Sequence, residues 1–216
     1  NYFPDLDKNE IDNRFIFDDM GNILEMDLSR LNIDSLKVLD LLDLSELIIL
    51  KLDHNNIRNL RLVNNMENLK EISVKNNPIV LVNVSSGISS FDILKNLDPS
   101  RVKTLKLNNN KFMNFELKEG FENLRILKII NNLNEIDNIS IRTDFKCIEY
   151  MEFSNSKIRK FSIYKSLPDC FIGLNISDNY INFLKLPHSI FEKKKNGRYI
   201  NINLENNNLP DLILSA

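Results

Sequence analysis

Two histidines, two cysteines and five glycines are the residues from which this chain would have to build catalysis or phosphate binding. Nucleophilic catalysis needs a base beside a nucleophile. The only histidine bases, His54 and His188, lie far apart in the chain, and neither Cys147 nor Cys170 stands near one. Gly21, Gly87, Gly120, Gly173 and Gly197 are scattered and assemble neither GxxxxGK nor GxGxxG. The acidic residues show no EF-hand or other cation-ligand spacing. The two cysteines have no CxxC or CxxH neighbour that would make a zinc site. No catalytic residue, metal, cofactor or small-molecule substrate is expected. What remains is recognition chemistry, concentrated in Lys106, Ile126, Lys128, Ile130 and Tyr150. Residues 126, 128 and 130 alternate with period two, the spacing that puts side chains on one face of a strand.

Something must hold these residues together, and composition narrows what it is. The chain of 216 residues is 43% hydrophobic and 27% charged, enough to fill a sizeable core. It has 34 Asn, 32 Leu and 27 Ile against one Ala, two Thr and no Gln or Trp. A helical bundle leans on Ala and Gln, so that class is disfavoured. Net charge −2 and pI 5.8 lack the basic surplus of a nucleic-acid binder. No run approaches 18 apolar residues, so no membrane span is expected. Two cysteines are too few for a disulfide framework, which makes the reducing cytoplasm the default location. Three Asn-x-Ser sequons, at Asn83, Asn138 and Asn175, are no more than chance supplies in so Asn-rich a chain. The first residue is Asn rather than Met, so the true start is expected to be missing, and the chain stops four residues after its last repeat, which reads as a fragment cut from a longer protein or as a final repeat that covers itself poorly.

Self-similarity decides the architecture. From Leu47 the chain reads LIILKLDHNNIRNL and from Leu69 LKEISVKNNPIVLV. Both fit LxxLxLxxNxLxxL, which recurs from Val102, Leu124, Ile148, Phe171 and Tyr199, with a first copy from Ile23 carrying Leu31 where Asn belongs. The fourth position falls at Met26, Leu50, Ile72, Leu105, Leu127, Met151, Leu174 and Ile202, in steps of 24, 22, 33, 22, 24, 23 and 28. The xLxLx core of each copy is a strand with one buried face. Asn55, Asn77, Asn110, Asn132, Asn179 and Asn207 follow the strands, where a carboxamide can both donate to and accept from buried turn backbone. Ser156 replaces Asn in the sixth copy.

These eight phased copies resemble the leucine-rich repeat family over residues 23 to 212. The resemblance implies a right-handed α/β solenoid of about eight repeats, with a parallel sheet on its concave face and short helices, turns or extended pieces outside. Residues 1–22 are expected to form an amino-terminal segment and capping β-hairpin, from Arg14–Phe17, a turn at 18–22 and the first repeat strand, and residues 23–216 one continuous repeat domain. In the step of 33, Ser85 to Ser100 reads as a loop plus a short helix capped by Ser89 or Ser90, with Phe91, Leu94 and Leu97 buried. The step of 28 holds a basic loop, Glu192 to Arg198. Cys147 and Cys170 share one repeat phase, within disulfide reach on adjacent repeats, though two reduced thiols are the favoured reading.

Outward-facing positions then form columns. The third reads Glu25, Ile49, Glu71, Thr104, Ile126, Tyr150, Gly173, Asn201, and Lys106 and Lys128 fall in the fifth. Lys106, Ile126, Lys128, Ile130 and Tyr150 thus make one patch, expected to bind a protein partner with an acidic rim. The bland reading is that Ile simply suits strands and Lys128 pairs with Glu152. The expected function is non-enzymatic protein recognition within a larger scaffold or regulator. Two alternatives stand beside it. The tail from Leu186 resembles the closing repeat of bacterial effectors that carry a ubiquitin-ligase domain, which would make the chain the substrate-recognition part of a larger enzyme. An extracellular receptor fragment is disfavoured by the absence of cysteine-stapled caps.

Overall fold

The structure is a computed structural model that describes residues 13–62, 66–85, 87–88, 94–192, 197, 199–209 and 213–215. Ser89, Ser90, Phe91 and most of the basic loop from Glu192 to Arg198, for which the sequence raised expectations, lie outside the described residues. Period-two apolar segments here become strands, and nearly all of them pair in parallel. The result is a β-solenoid of about seven turns, one for each strand of its longest sheet.

The first strand, β1 (Phe15–Phe17), pairs antiparallel with β2 (Ile23–Asp27). Asp18 makes the turn between them: its carboxylate accepts from the backbone N–H groups of Met20 and Asn22 and from the Asn22 side chain. These bonds, led by that from the Asn22 side chain, hold its carboxyl below the usual carboxylate range. Phe15 is buried and Arg14 donates to the carbonyls of Asp27 and Ser29, so the hairpin lies across the first turn of the solenoid.

Each turn then contributes two strands rather than one. On one face β2, β3 (Ile49–Lys51), β5 (Glu71–Ser73) and β7 (Leu94–Lys95) stack in register. On the other, β4 (Asn59–Leu62), β6 (Leu81–Val84), β8 (Thr104–Lys106), β10 (Ile126–Lys128), β12 (Tyr150–Glu152), β14 (Gly173–Asn175) and β16 (Asn201–Asn203) form the seven-stranded sheet. A third sheet joins β9 (Asn114–Leu117), β11 (Ile136–Ile141), β13 (Ile158–Ile163), β15 (Phe183–Pro187) and β17 (Ile213–Ser215). The expected α/β character gives way to β structure. Helix among the described residues is nearly absent, with 3₁₀ turns at Lys37–Leu41, Pro99–Arg101 and His188–Ile190. The segments between repeat strands carry the same xΦxΦ alternation, as in Leu60 and Leu62 or Phe115 and Leu117, all buried, so they too pair laterally.

The step of 33 has a different cause from the one its sequence suggested. It divides into 22 residues from Ile72 to Leu94 and 11 from Leu94 to Leu105. Leu94 lies in a strand paired with Ile72, not in a helix. Leu105 then pairs with Val82, so the repeat motif has advanced by one and a half turns and changed faces. The eight motif strands therefore do not share one sheet: three lie on the first face and five on the second. At the changeover Asp98 caps the 3₁₀ turn by accepting from Ser100 N–H at 3.1 Å, and Pro99, which has no N–H, needs no acceptor. Gly120, at φ +104°, passes so close that a Cβ there would stand 2.8 Å from Pro99 Cγ. Only glycine fits this crossing.

One apolar cluster runs the length of the molecule between the faces. Phe153 and Phe161, from the two halves of one turn, meet edge to face at 4.9 Å. The Asn ladder closes the turns. Asn179 accepts from the N–H groups of Ser156 and Ile158 and donates to the carbonyls of Phe153, Ile176 and Ser177. Ser156 covers part of the same task, donating to Ile129 O and Ser154 O. Among the described residues no buried side-chain nitrogen or oxygen lacks a partner.

Candidate functional site

Lys106, Ile126, Lys128 and Tyr150 stand on the outward faces of β8, β10 and β12, three neighbouring strands of the long sheet. Their register puts Ile126 beside Tyr150 on one side and Thr104 on the other, with Lys128 between Lys106 and Glu152. Ile130 lies two residues past β10, and its N–H donates to Asn108 Oδ1 at 3.1 Å. All five are half-buried, because each strand's side chains cover those of its neighbours. They come together because all of them follow the change of face. The earlier members of the same columns, Glu25, Ile49 and Glu71, lie on the first face.

Local chemistry fixes the patch's shape. Lys128 Nζ sits 2.7 Å from Glu152 Oε2 and 5.3 Å from the Tyr150 ring centroid, so the cation is held between a carboxylate and an aromatic face. This is the pairing with Glu152 that the sequence offered as a rival use of Lys128. Tyr150 in turn lies over Gly173, where a Cβ would approach ring carbons at 3.1 and 3.2 Å. Burial, with a further push from Glu152, raises the Tyr150 phenol above its ordinary range. Its hydroxyl is therefore a neutral hydrogen-bonding group at physiological pH.

Sequence phase hid one member. Leu81 on β6 pairs with Thr104 and extends the outward row to Leu81, Thr104, Ile126 and Tyr150. Residue 81 falls outside the outward columns read from the motif. Its signal was the alternation Leu81, Asn83 outward and Val82, Val84 inward.

Along the entry edge of the same strands runs a groove of about 760 Å³, lined among others by Val80, Arg101, Lys103, Arg125, Lys146 and Glu149. Arg125 is ion-paired with Glu149 and Lys146 with Glu122 at 2.5 Å. Lys103 and Arg125 directly precede Thr104 and Ile126, so a cationic margin adjoins the apolar row. The groove also holds Cys147 and Cys170, both free thiols.

The remaining candidates stay apart. His54 faces Asn76 in a turn, and His188 Nδ1 lies 3.1 Å from Glu192. Among the described residues no three His, Cys, Asp or Glu side chains gather as metal ligands, and no helix is long and apolar enough to cross a membrane. Comparison of the chain with protein-family models, with curated proteins and with solved structures found no match.

Proposed function

We propose that this chain is a non-enzymatic protein-interaction module of leucine-rich repeat type, working in the cytoplasm as part of a larger scaffold or regulatory protein. The partner docks on the outward face of β8, β10 and β12 through Lys106, Ile126, Lys128, Ile130 and Tyr150. One observation carries this reading: apolar side chains adjoin one another on the solvent side of hydrogen-bonded strands, where Asn, Ser or Lys would serve the fold equally well. A contiguous, half-exposed apolar row with an aromatic anchor is interface chemistry. The adjoining cations of the groove favour a partner with an acidic rim. The LxxLxLxxN motif with its buried Asn ladder supports the repeat type, and the two free thiols suit a reducing compartment.

The test compares affinity capture from lysate by the wild-type chain and by the triple variant Ile126→Ala, Ile130→Ala, Tyr150→Ala, with circular dichroism confirming that both fold. A band retained by the wild type and lost by the folded variant is expected. A partner captured equally by both overturns the assignment of the patch.

A further inference from the structure

Cys147 and Cys170 each lie four residues before the central strand position of their turns, Met151 and Leu174, which pair directly. The segments leading into β12 and β14 run side by side, since Ile172 N–H donates to Glu149 O at 2.8 Å. Cys170 Sγ lies 3.4 Å from the carbonyl oxygen of Ile148, the residue after Cys147, so its sulfur reaches across to the neighbouring turn at that point. Strands stacked about 4.8 Å apart bring equivalent Cα atoms into the roughly 4.4–6.8 Å window of a disulfide. Cys147 is half-buried and Cys170 exposed, and both open onto the groove. Four cations, Arg101, Lys103, Arg125 and Lys146, line that groove; Arg125 is paired with Glu149 and Lys146 with Glu122, so its surplus positive charge rests on Arg101 and Lys103.

We propose that Cys147 and Cys170 form a dithiol site for thiol–disulfide exchange with small anionic disulfides, of which glutathione disulfide is the type, and that the groove's cations select the anionic substrate. The thiolate of one cysteine attacks a sulfur of the substrate, whose S–S bond breaks and expels one thiolate product. The second cysteine's thiolate then attacks the protein sulfur of the mixed disulfide and expels the other product. Two protein thiols are oxidised to one disulfide, the substrate is reduced to two thiols, and the two cysteine protons end on the products. A reducing thiol pool reverses the sequence.

The full chain, fully reduced, is incubated with glutathione disulfide or with dicationic cystamine, quenched with acid and read by intact mass and peptide mapping. The expected product is a Cys147–Cys170 cross-link with no retained adduct, formed severalfold faster with glutathione disulfide, and with the difference shrinking at high salt. Cys147→Ser should instead keep one glutathione on Cys170, and Cys170→Ser one on Cys147. In Arg101→Ser/Lys103→Ser, which alters two exposed groove residues, the preference should fall. Wild-type protein that retains adducts without cross-linking overturns the dithiol. Equal rates with the two disulfides overturn the selection by charge, and mapping of the wild type alone decides the first point if a variant fails to fold.

Discussion

A single residue type does three different jobs here. The buried Asn at the motif position spans two turns: Asn55 accepts from Leu31 and Ile33 N–H and donates to Leu28 and Leu52 O. The residue just before the Asn position is left-handed in all eight copies, including those with Leu31 or Ser156 in its place, at Arg30, His54, Asn76, Asn109, Asn131, Asn155, Asp178 and Asn206, with φ between 49° and 62°. Asn and Asp tolerate that conformation best after Gly, which accounts for many Asn residues beyond the motif position. Several of these also bond laterally, as Asn155 Nδ2 does to Asn131 Oδ1 at 2.9 Å. Replacing Asn179 with Ala strips two N–H groups and three carbonyls of their partner in a site only 3% exposed. The loss should reach the upper part of the usual cost of about 1–3 kcal/mol for unsatisfied buried groups, read as a lowered urea midpoint. Cys170 is exposed as a residue, but its sulfur lies against Ile148 O, and this partial burial first, with the neighbouring Cys147 among the further causes, pushes the thiol upward, Glu149 acting in the same direction and Arg125 opposing. Less thiolate is present at any given pH below that raised value, so alkylation of Cys170 should reach half its maximal rate at a higher pH than the roughly 8.5 of a free thiol. In Cys147→Ser the midpoint should fall only part of the way back, because burial, the largest cause, stays in place. An unshifted profile in both proteins contradicts this account.

At the scale of elements, the decisive fact is that each turn has two strands and that the motif switches between them. The Asn ladder switches as well. Asn77 bonds Leu52 O and Ile57 N–H after β5, whereas Asn110 bonds Val84 O and Ile88 N–H after β8. The two ladders line opposite edges of the solenoid. Between them β7 and β9 belong to separate sheets, and Pro99 packed against Gly120 occupies the crossing. Gly120→Ala puts a Cβ both into Pro99 and into a φ that side chains rarely adopt, so a loss of about 1–3 kcal/mol is expected from the strain. Denaturant unfolding of the variant checks it; a change within error removes the special role of the crossing. Repeat phase was legible in the sequence, and so was the hairpin of β1 and β2. The face change was not, because a step of 33 reads equally as an insertion or as one and a half turns. Only lateral hydrogen bonding tells the two apart.

As a whole the molecule is close to one-dimensional, each turn touching chiefly its neighbours. Its stability rests on the shared apolar column more than on charge. Ion pairs do climb the outside, an acid on one turn meeting a base on the next, as in Glu116–Arg142, Glu135–Arg159 and Asp137–Lys160. Exposed pairs of this kind contribute about 0–1 kcal/mol each. Leu127→Ala, at a fully buried position of β10, should therefore cost about 2–5 kcal/mol, and Arg159→Gln less than about 1 kcal/mol. Chemical denaturation of the two variants ranks them, and the reverse order would show that the surface lattice, not the core, holds the turns together.

The sequence by itself determined the repeat, the buried strand positions, the turn Asn residues and the proximity of Lys106, Ile126, Lys128 and Tyr150, because all of these follow from local periodicity and a constant step. The tertiary structure alone decided that the segments between motif strands are strands too, that the first three motif copies face away from the rest, that Leu81 joins the outward row, and that both cysteines open onto one cationic groove. Periodicity fixes which side of a strand is buried. Which strand lies beside it is settled by backbone hydrogen bonds between turns, to which every residue type except proline contributes a donor and an acceptor alike.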